Sequence, residues 1–202
     1  DLPDEHAVLR ELLTALQAYP KLVLDWRRDT ARLNVVQEQI DIGVRIGHLA
    51  DSRLIARKIG ETCEKIVMAP DLLRRLGKPK DFADLQKNYP LAAVLNHNNG
   101  RADTWYINEN LQFTPAKPHF VGSHIHNAMQ AALAGNAVSQ QLDWMVAPHL
   151  LNGELVELFA EVPKIRWPVS IYRPQRVVTP MRVKVVFDLL AGILGKRFEL
   201  PA

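Results

Sequence analysis

Between Lys21 and Gly47 the spacing of apolar residues changes twice, and this limits the folds open to the chain more than any other feature of its 202 residues. Leu22, Leu24 and Trp26 alternate with Lys21, Val23 and Asp25, the two-residue period of a strand. Thr30 to Gln39 returns to the three- and four-residue spacing of a helix. Ile40-Asp41-Ile42-Gly43-Val44-Arg45-Ile46-Gly47 then reads as a second strand, ended by glycine. Strand, helix and strand in that order make a β-α-β crossover whose two strands are expected to lie parallel in one sheet. The expectation is a doubly wound α/β lobe.

The rest of the chain continues this alternation. Val8, Leu9, Leu12, Leu13 and Leu16 share one face of a helix from His6 to Ala18, stopped by Tyr19-Pro20. Leu54 to Ile59 and Cys63 to Met68 are strand-like. Pro70 opens a short helix through Leu76 that Gly77 closes, and Asp81 to Gln86 forms another helical turn. Leu91 to Leu95 is a strand running into the polar loop Asn96-His97-Asn98-Asn99-Gly100. A hairpin is expected from Thr104 to Phe113, helices over Asn127 to Leu133 and Val146 to Leu151, and a strand over Val169 to Tyr172. A last helix spans Pro180 to Leu194 with Val183, Val186, Leu190 and Ile193 on one face. No internal repeat is present.

Composition excludes several classes of function. Hydrophobic residues make up 48% and charged residues 23%, enough for a sizeable globular core. The 25 Lys and Arg against 22 Asp and Glu occur as scattered pairs, such as Arg27-Arg28 and Arg74-Arg75, and not as the basic stripe that reads a phosphate backbone. The apolar runs are too short and too charged for a span of ~20 residues, so no membrane is expected as a partner. Cys63, the single cysteine, has no disulfide partner in the chain, which fits a reducing cytoplasmic setting.

Three stretches resemble the effector-binding domain of LysR-type transcriptional regulators. The first is Ile40 to Arg57, with Arg45-Ile46-Gly47 followed by Asp51-Ser52. The second is Ile66-Val67-Met68-Ala69-Pro70 with Leu72-Leu73, Gly77, Pro79 and Asp84-Leu85. The third is Ala131-Ala132-Leu133-Ala134-Gly135, then Ala147, Leu150, Gly153-Glu154-Leu155 and the closing Pro168 to Leu190. Together they cover nearly the whole chain. The resemblance implies a two-lobed α/β fold of the type II periplasmic-binding-protein kind, each lobe a mostly parallel sheet flanked by helices. The lobes would comprise residues 1–68 and 69–168, with 169–202 returning to the first. It also implies that a small-molecule effector binds between the lobes, that sensing domains pair as a homodimer, and that the full-length protein forms a higher homo-oligomer. DNA would be contacted only through a winged helix-turn-helix N-terminal to these residues. One stretch departs from the family: Gly135-Asn136-Ala137-Val138-Ser139-Gln140-Gln141-Leu142 has polar residues where relatives are usually apolar. Transport-associated solute-binding proteins share the fold and are the alternative reading.

The candidate ligand contacts are Asp4, Arg28, Asn96, Asn98, Ser123, His124 and His126. Ser123 to His126 precede a helix, where unpaired N–H groups and the positive dipole end favour an anionic group. The plainer reading is that Ser123 or Asn127 caps that helix and the histidines are solvated. Asn96 and Asn98 follow a strand, the place where open parallel sheets bind ligands, though a polar turn explains them as well. Arg28 can fork onto a carboxylate, or pair at the surface with Asp25 or Asp29. His124 and His126 are spaced to chelate a metal, but no second cluster accompanies them, so no metal or other cofactor is expected. No nucleophile elbow, His-Glu-x-x-His or glycine-rich phosphate loop is present, and an enzyme is not expected.

Overall fold

The structure is a computed structural model, and it describes residues 2–27, 40–49, 53–96, 99–176 and 178–198. Backbone contacts divide the chain into one unit of Asp1–Thr62 with Arg166–Ala202 and a second of Cys63–Ile165. The lobe boundaries expected at residues 68 and 168 fall a few residues later than these.

The first unit is built on α1 (Glu5–Leu16), β1 (Gly43–Ile46), β2 (Leu54–Thr62), β11 (Trp167–Pro174) and α6 (Met181–Phe198). In α1 the four-residue spacing buries Val8, Leu12 and Leu16, while Leu13 is 49% exposed, so the buried stripe is narrower than the leucine pattern suggested. Asp4 starts the helix in the left-handed region (φ 48°), which aspartate tolerates better than most residues. Val183, Val186, Leu190 and Ile193 of α6 are all buried, as their spacing predicted, and the last three pack with α1 and Ile171. Arg197 on α6 reaches Glu11 on α1 at 3.0 Å.

The three strands are ordered β1-β11-β2 and both pairings are antiparallel. This corrects the expectation of a parallel β-α-β sheet here. Leu22, Leu24 and Trp26 do alternate half-buried with exposed Val23 and Asp25, but residues 22–27 join no ladder among the described residues. Their alternation reflects burial against the α1–α6 core, and Trp26 is held by donating Nε1–H to Glu5 Oε1 at 3.2 Å. The helix expected over Thr30 to Gln39 lies outside the described residues. Gly43 leaves room for the Tyr172 ring on β11: a Cβ there would lie 2.4 Å from it, so the tyrosine would have to shift.

The second unit contains β3 (Glu64–Met68), α2 (Pro70–Leu76), α3 (Phe82–Asn88), β4 (Leu91–Asn96), β5 (Arg101–Ala102), β6 (Trp105–Asn108), β7 (Leu111–Phe113), β8 (Phe120–Gly122), α4 (Ile125–Leu133), β9 (Val138–Leu142), α5 (Asp143–Leu151) and β10 (Val156–Leu158). Its sheet runs β10-β3-β9-β4-β5, with β8 also on β4. Only β4 with β8 and β4 with β9 are parallel among the described pairs, so the "mostly parallel" expectation gives way to a mixed sheet. Pro70 and Gly77 (φ 79°) bound α2 as expected, and the β6–β7 hairpin packs Trp105 on Phe113 with ring centroids 5.3 Å apart. β5, β8, β9 and β10 were not anticipated as strands.

Candidate functional site

Parallel pairing on β4 determines where polar residues meet. Ala92, Ala93 and Val94 align with Phe120, Val121 and Gly122, so both strands end at the same edge of the sheet. Two residues beyond the last aligned pair stand Asn96 on β4 and His124 after β8. The segment after β8 turns at once into α4, with His124 at its N-cap in extended geometry. Gly122 permits that turn to sit close: a Cβ on it would lie 2.6 Å from Asn127 Cβ in the first turn of α4.

Four of the expected contacts are therefore brought to one end of the second unit: Asn96, Ser123, His124 and His126. Ser123 and His124 are exposed and His126 is half-buried. His124, the N-cap residue, makes no side-chain cap bond, and Asn127 N–H donates to the His124 carbonyl at 3.0 Å. Asn96 also acts in its own turn, donating Nδ2–H to Asp103 Oδ1 at 3.1 Å while its carbonyl accepts from Gly100 N–H at 2.9 Å. Here the ligand reading and the turn reading describe the same residue.

The other three candidates are not part of this group. Asp4 belongs to the first unit, where its carbonyl accepts from Ala7 and Val8 N–H at 2.9 and 3.0 Å and its side chain makes no cap bond. Arg28 and Asn98 lie outside the described residues. Asp25, named above as an alternative partner for Arg28, pairs with Arg27 at 2.7 Å; the hydrogen bond from Arg27 holds its carboxyl below the usual aspartate value.

A separate open groove of about 610 Å³ runs along α4, lined by Phe120, Gln130, Ala131, Ala134 and Ala137 among others, and shares none of the candidate residues. Among the described residues no group of three or more His, Cys, Asp or Glu is arranged to hold a metal. Cys63 is buried and lies 3.4 Å from Asp143 Oδ2. No helix of the described residues is long and apolar enough to cross a membrane.

Sequence reasoning passed over the most unusual polar group near this end. Ser139, Gln140 and Gln141 on β9 are all buried, and Gln141 Nε2–H donates to the carbonyl of Ile125, the first residue of α4, at 3.2 Å. The signal that pointed to them was the presence of polar residues at usually apolar positions.

The fold is that of bacterial regulatory domains. The chain superposes on the regulatory domain of CrgA, a LysR-type transcriptional regulator from Neisseria meningitidis, with a TM-score of 0.70 over 93% of this chain and 94% of that one, at 22% identity. The regulatory domain of AphB from Vibrio vulnificus gives a TM-score of 0.72 over 91% of this chain and 90% of that one, at 20% identity. In sequence, the chain is 26% identical over 183 residues to the HTH-type transcriptional regulator CrgA of Neisseria meningitidis serogroup C, covering 89% of this chain and 60% of that protein. It is 24% identical over 196 residues to the HTH-type transcriptional regulator DmlR of Escherichia coli K12, covering 93% of this chain and 61% of that protein. The chain thus spans about 60% of the length of these curated relatives. The family model for the LysR substrate binding domain matches residues 5–194, and the chain belongs to that family.

Proposed function

We propose that this chain senses a small polar or anionic metabolite on behalf of a longer, cytoplasmic, DNA-binding regulator, with the metabolite held at the start of α4. The observation that supports this reading most is the shared end of the parallel pair β4 and β8, which gathers Asn96, Ser123, His124 and His126 around a helix N-terminus. Backbone N–H groups and the dipole there favour a carboxylate or similar group, while hydroxyl, amide and imidazole side chains select its shape. The metabolite shifts the regulator only through its differential affinity for two conformations; tight binding alone changes nothing. Arg28 stays in the proposal as a cationic contact, and DNA contact belongs to residues outside this chain.

Thermal-shift screening against carboxylic acids, followed by calorimetric titration of each hit, tests the site. Removing one charge-assisted donor costs on the order of 1.5–3 kcal/mol of binding. His126→Ala and Arg28→Ala are therefore expected to weaken binding at least tenfold while the unliganded melting temperature stays nearly unchanged. Wild-type affinity in both variants places the ligand elsewhere.

The chain is further proposed to form a two-fold homodimer, with higher assembly in the full-length regulator. Leu13 is half-exposed and Leu9 only partly buried on α1, while Val8, Leu12 and Leu16 face their own core, so the helix has apolar surface left for a partner. Sedimentation at micromolar concentration is expected to show a dimer that Leu9→Asp or Leu13→Asp dissociates. A monomer unaffected by either change refutes the assembly.

A further inference from the structure

All five residues of β9, Val138-Ser139-Gln140-Gln141-Leu142, are buried, yet three of them are polar. A strand covered on both faces is ordinarily apolar, so these side chains need a reason. Gln140 and Gln141 point to opposite faces, as successive strand residues must. Gln140 donates Nε2–H to the Tyr106 carbonyl at 2.9 Å and so fastens the β6–β7 hairpin. Gln141, with no exposed surface, donates Nε2–H to Ser139 Oγ at 2.7 Å and to the Ile125 carbonyl at 3.2 Å. Ile125 opens the one helix of this unit that meets the proposed ligand, and the N-cap residue of that helix, His124, makes no side-chain cap bond.

We infer that Gln141, seated by Ser139, is the positioning residue that holds the start of α4 in register with the sheet; its bearing on sensing rests on the effector reading above. Simple packing does not account for this side chain. Its Oε1 is buried without a hydrogen-bond partner, and an apolar side chain of the same length avoids the cost of that stranded acceptor. The amide contributes through its two N–H groups, which bridge β9 to the first residue of α4. Ser139 supplies the second anchor that keeps the amide in one rotamer. The effect is indirect, since Gln141 is sealed from solvent and touches no ligand.

Gln141→Met separates positioning from stability, because methionine keeps the length and removes both donors. In the 202-residue chain, amide hydrogen exchange over Ile125 to Met129 is expected to quicken roughly fivefold, with α3 unchanged and the melting temperature equal to wild type or higher. Inorganic sulfate and succinate, titrated while the Ile125 and His126 amide resonances are followed, are expected to bind about fivefold more weakly. Ser139→Ala, a milder change that folds even if methionine does not, is expected to act in the same direction. Unchanged exchange at the start of α4 in both variants overturns the positioning role. So does a collapse in melting temperature with faster exchange throughout the second unit, which marks Gln141 as a core-packing residue. Should exchange respond as expected while neither anion shifts the wild-type amides, the positioning role stands and the effector reading is what fails.

Discussion

The two units solve the same packing problem with different strand directions. In the first unit every described pairing is antiparallel, and the core is closed by two long helices whose buried faces are aliphatic and aromatic. In the second, β4 pairs in parallel with β8 and β9 as well as antiparallel with β5, and β9 buries Ser139, Gln140 and Gln141, where the first unit buries only the smaller Thr62 and Ser170 among its described polar residues. Antiparallel neighbours end at opposite edges of a sheet, so their terminal residues do not collect. Parallel neighbours end together, and the polar residues following them meet at one helix start. The difference teaches that Ser123 to His126 gain their candidacy from strand direction, and that neither histidine count nor charge would have singled them out.

The largest expected effects test whether the two cores are independent supports. Leu12 in the first unit and Leu85 in the second are both fully buried among apolar neighbours. Truncating either to alanine removes buried methyl groups and leaves a cavity, at a cost of about 2–5 kcal/mol. Denaturant titration followed by residue-resolved hydrogen exchange is expected to show Leu12→Ala loosening α1 and α6 first, and Leu85→Ala loosening α3 and the β6–β7 hairpin first. Uniform loosening of both units in either variant would break the comparison, since it would mean that they unfold as one.

An intermediate effect concerns charge inside the second unit. Glu157 on β10 lies between Lys65 Nζ at 2.7 Å and Lys164 Nζ at 2.8 Å, and its side chain is only 14% exposed. Burial pushes this carboxyl up, but the hydrogen bonds from Lys164 and Lys65 outweigh it and hold the group below the usual glutamate value. A carboxyl whose folded value is depressed stabilises fully above its unfolded value, and that contribution disappears as pH falls through the folded value. Glu157→Gln is therefore expected to melt below wild type at neutral pH, with the two curves converging as pH drops through and below the ordinary glutamate range. A gap that persists unchanged in acid would assign the loss to packing rather than to charge.

Much of this division was legible in the sequence, and its failures have physical causes. Helix faces on α6, the Pro70 and Gly77 boundaries of α2 and the Thr104 to Phe113 hairpin follow from local periodicity and turn chemistry, which act within a few residues. Strand direction does not. The alternation of Leu22, Leu24 and Trp26 reported burial correctly, but nothing local distinguishes a strand in a ladder from an extended segment pressed on helices. β9 was missed because Ser139, Gln140 and Gln141 break the apolar pattern; their hydrogen bonds go to Tyr106 and Ile125, far along the chain or on another element. Of the candidate site, the grouping of Asn96 with Ser123 to His126 was recoverable only through the family resemblance, since the β4–β8 register is a long-range fact.

The smallest expected effect contrasts two helix starts within the second unit. α3 begins with a local cap: Asp81 Oδ1 accepts from Asp84 N–H at 2.8 Å, while Asp84 Oδ2 accepts from Lys80 N–H at 2.9 Å. At α4 the N-cap residue His124 makes no such bond, and Gln141 on β9 donates to the carbonyl of Ile125. Replacing an aspartate cap by alanine costs about 1 kcal/mol, which in a chain of this size lowers the melting temperature by roughly 2–4 °C. Asp81→Ala is accordingly expected to produce a shift of that order, to quicken exchange at the first turn of α3 alone, and to be largely restored by Asp81→Ser, whose hydroxyl can accept the same bond. The start of α4 should not respond. If α3 exchange is unaffected by Asp81→Ala, the contact of Phe82 with Phe159, whose ring centroids are 4.2 Å apart, and the burial of Leu85 hold that helix start instead. In that case both helices would be positioned from a distance, and the contrast between local and remote control would be lost.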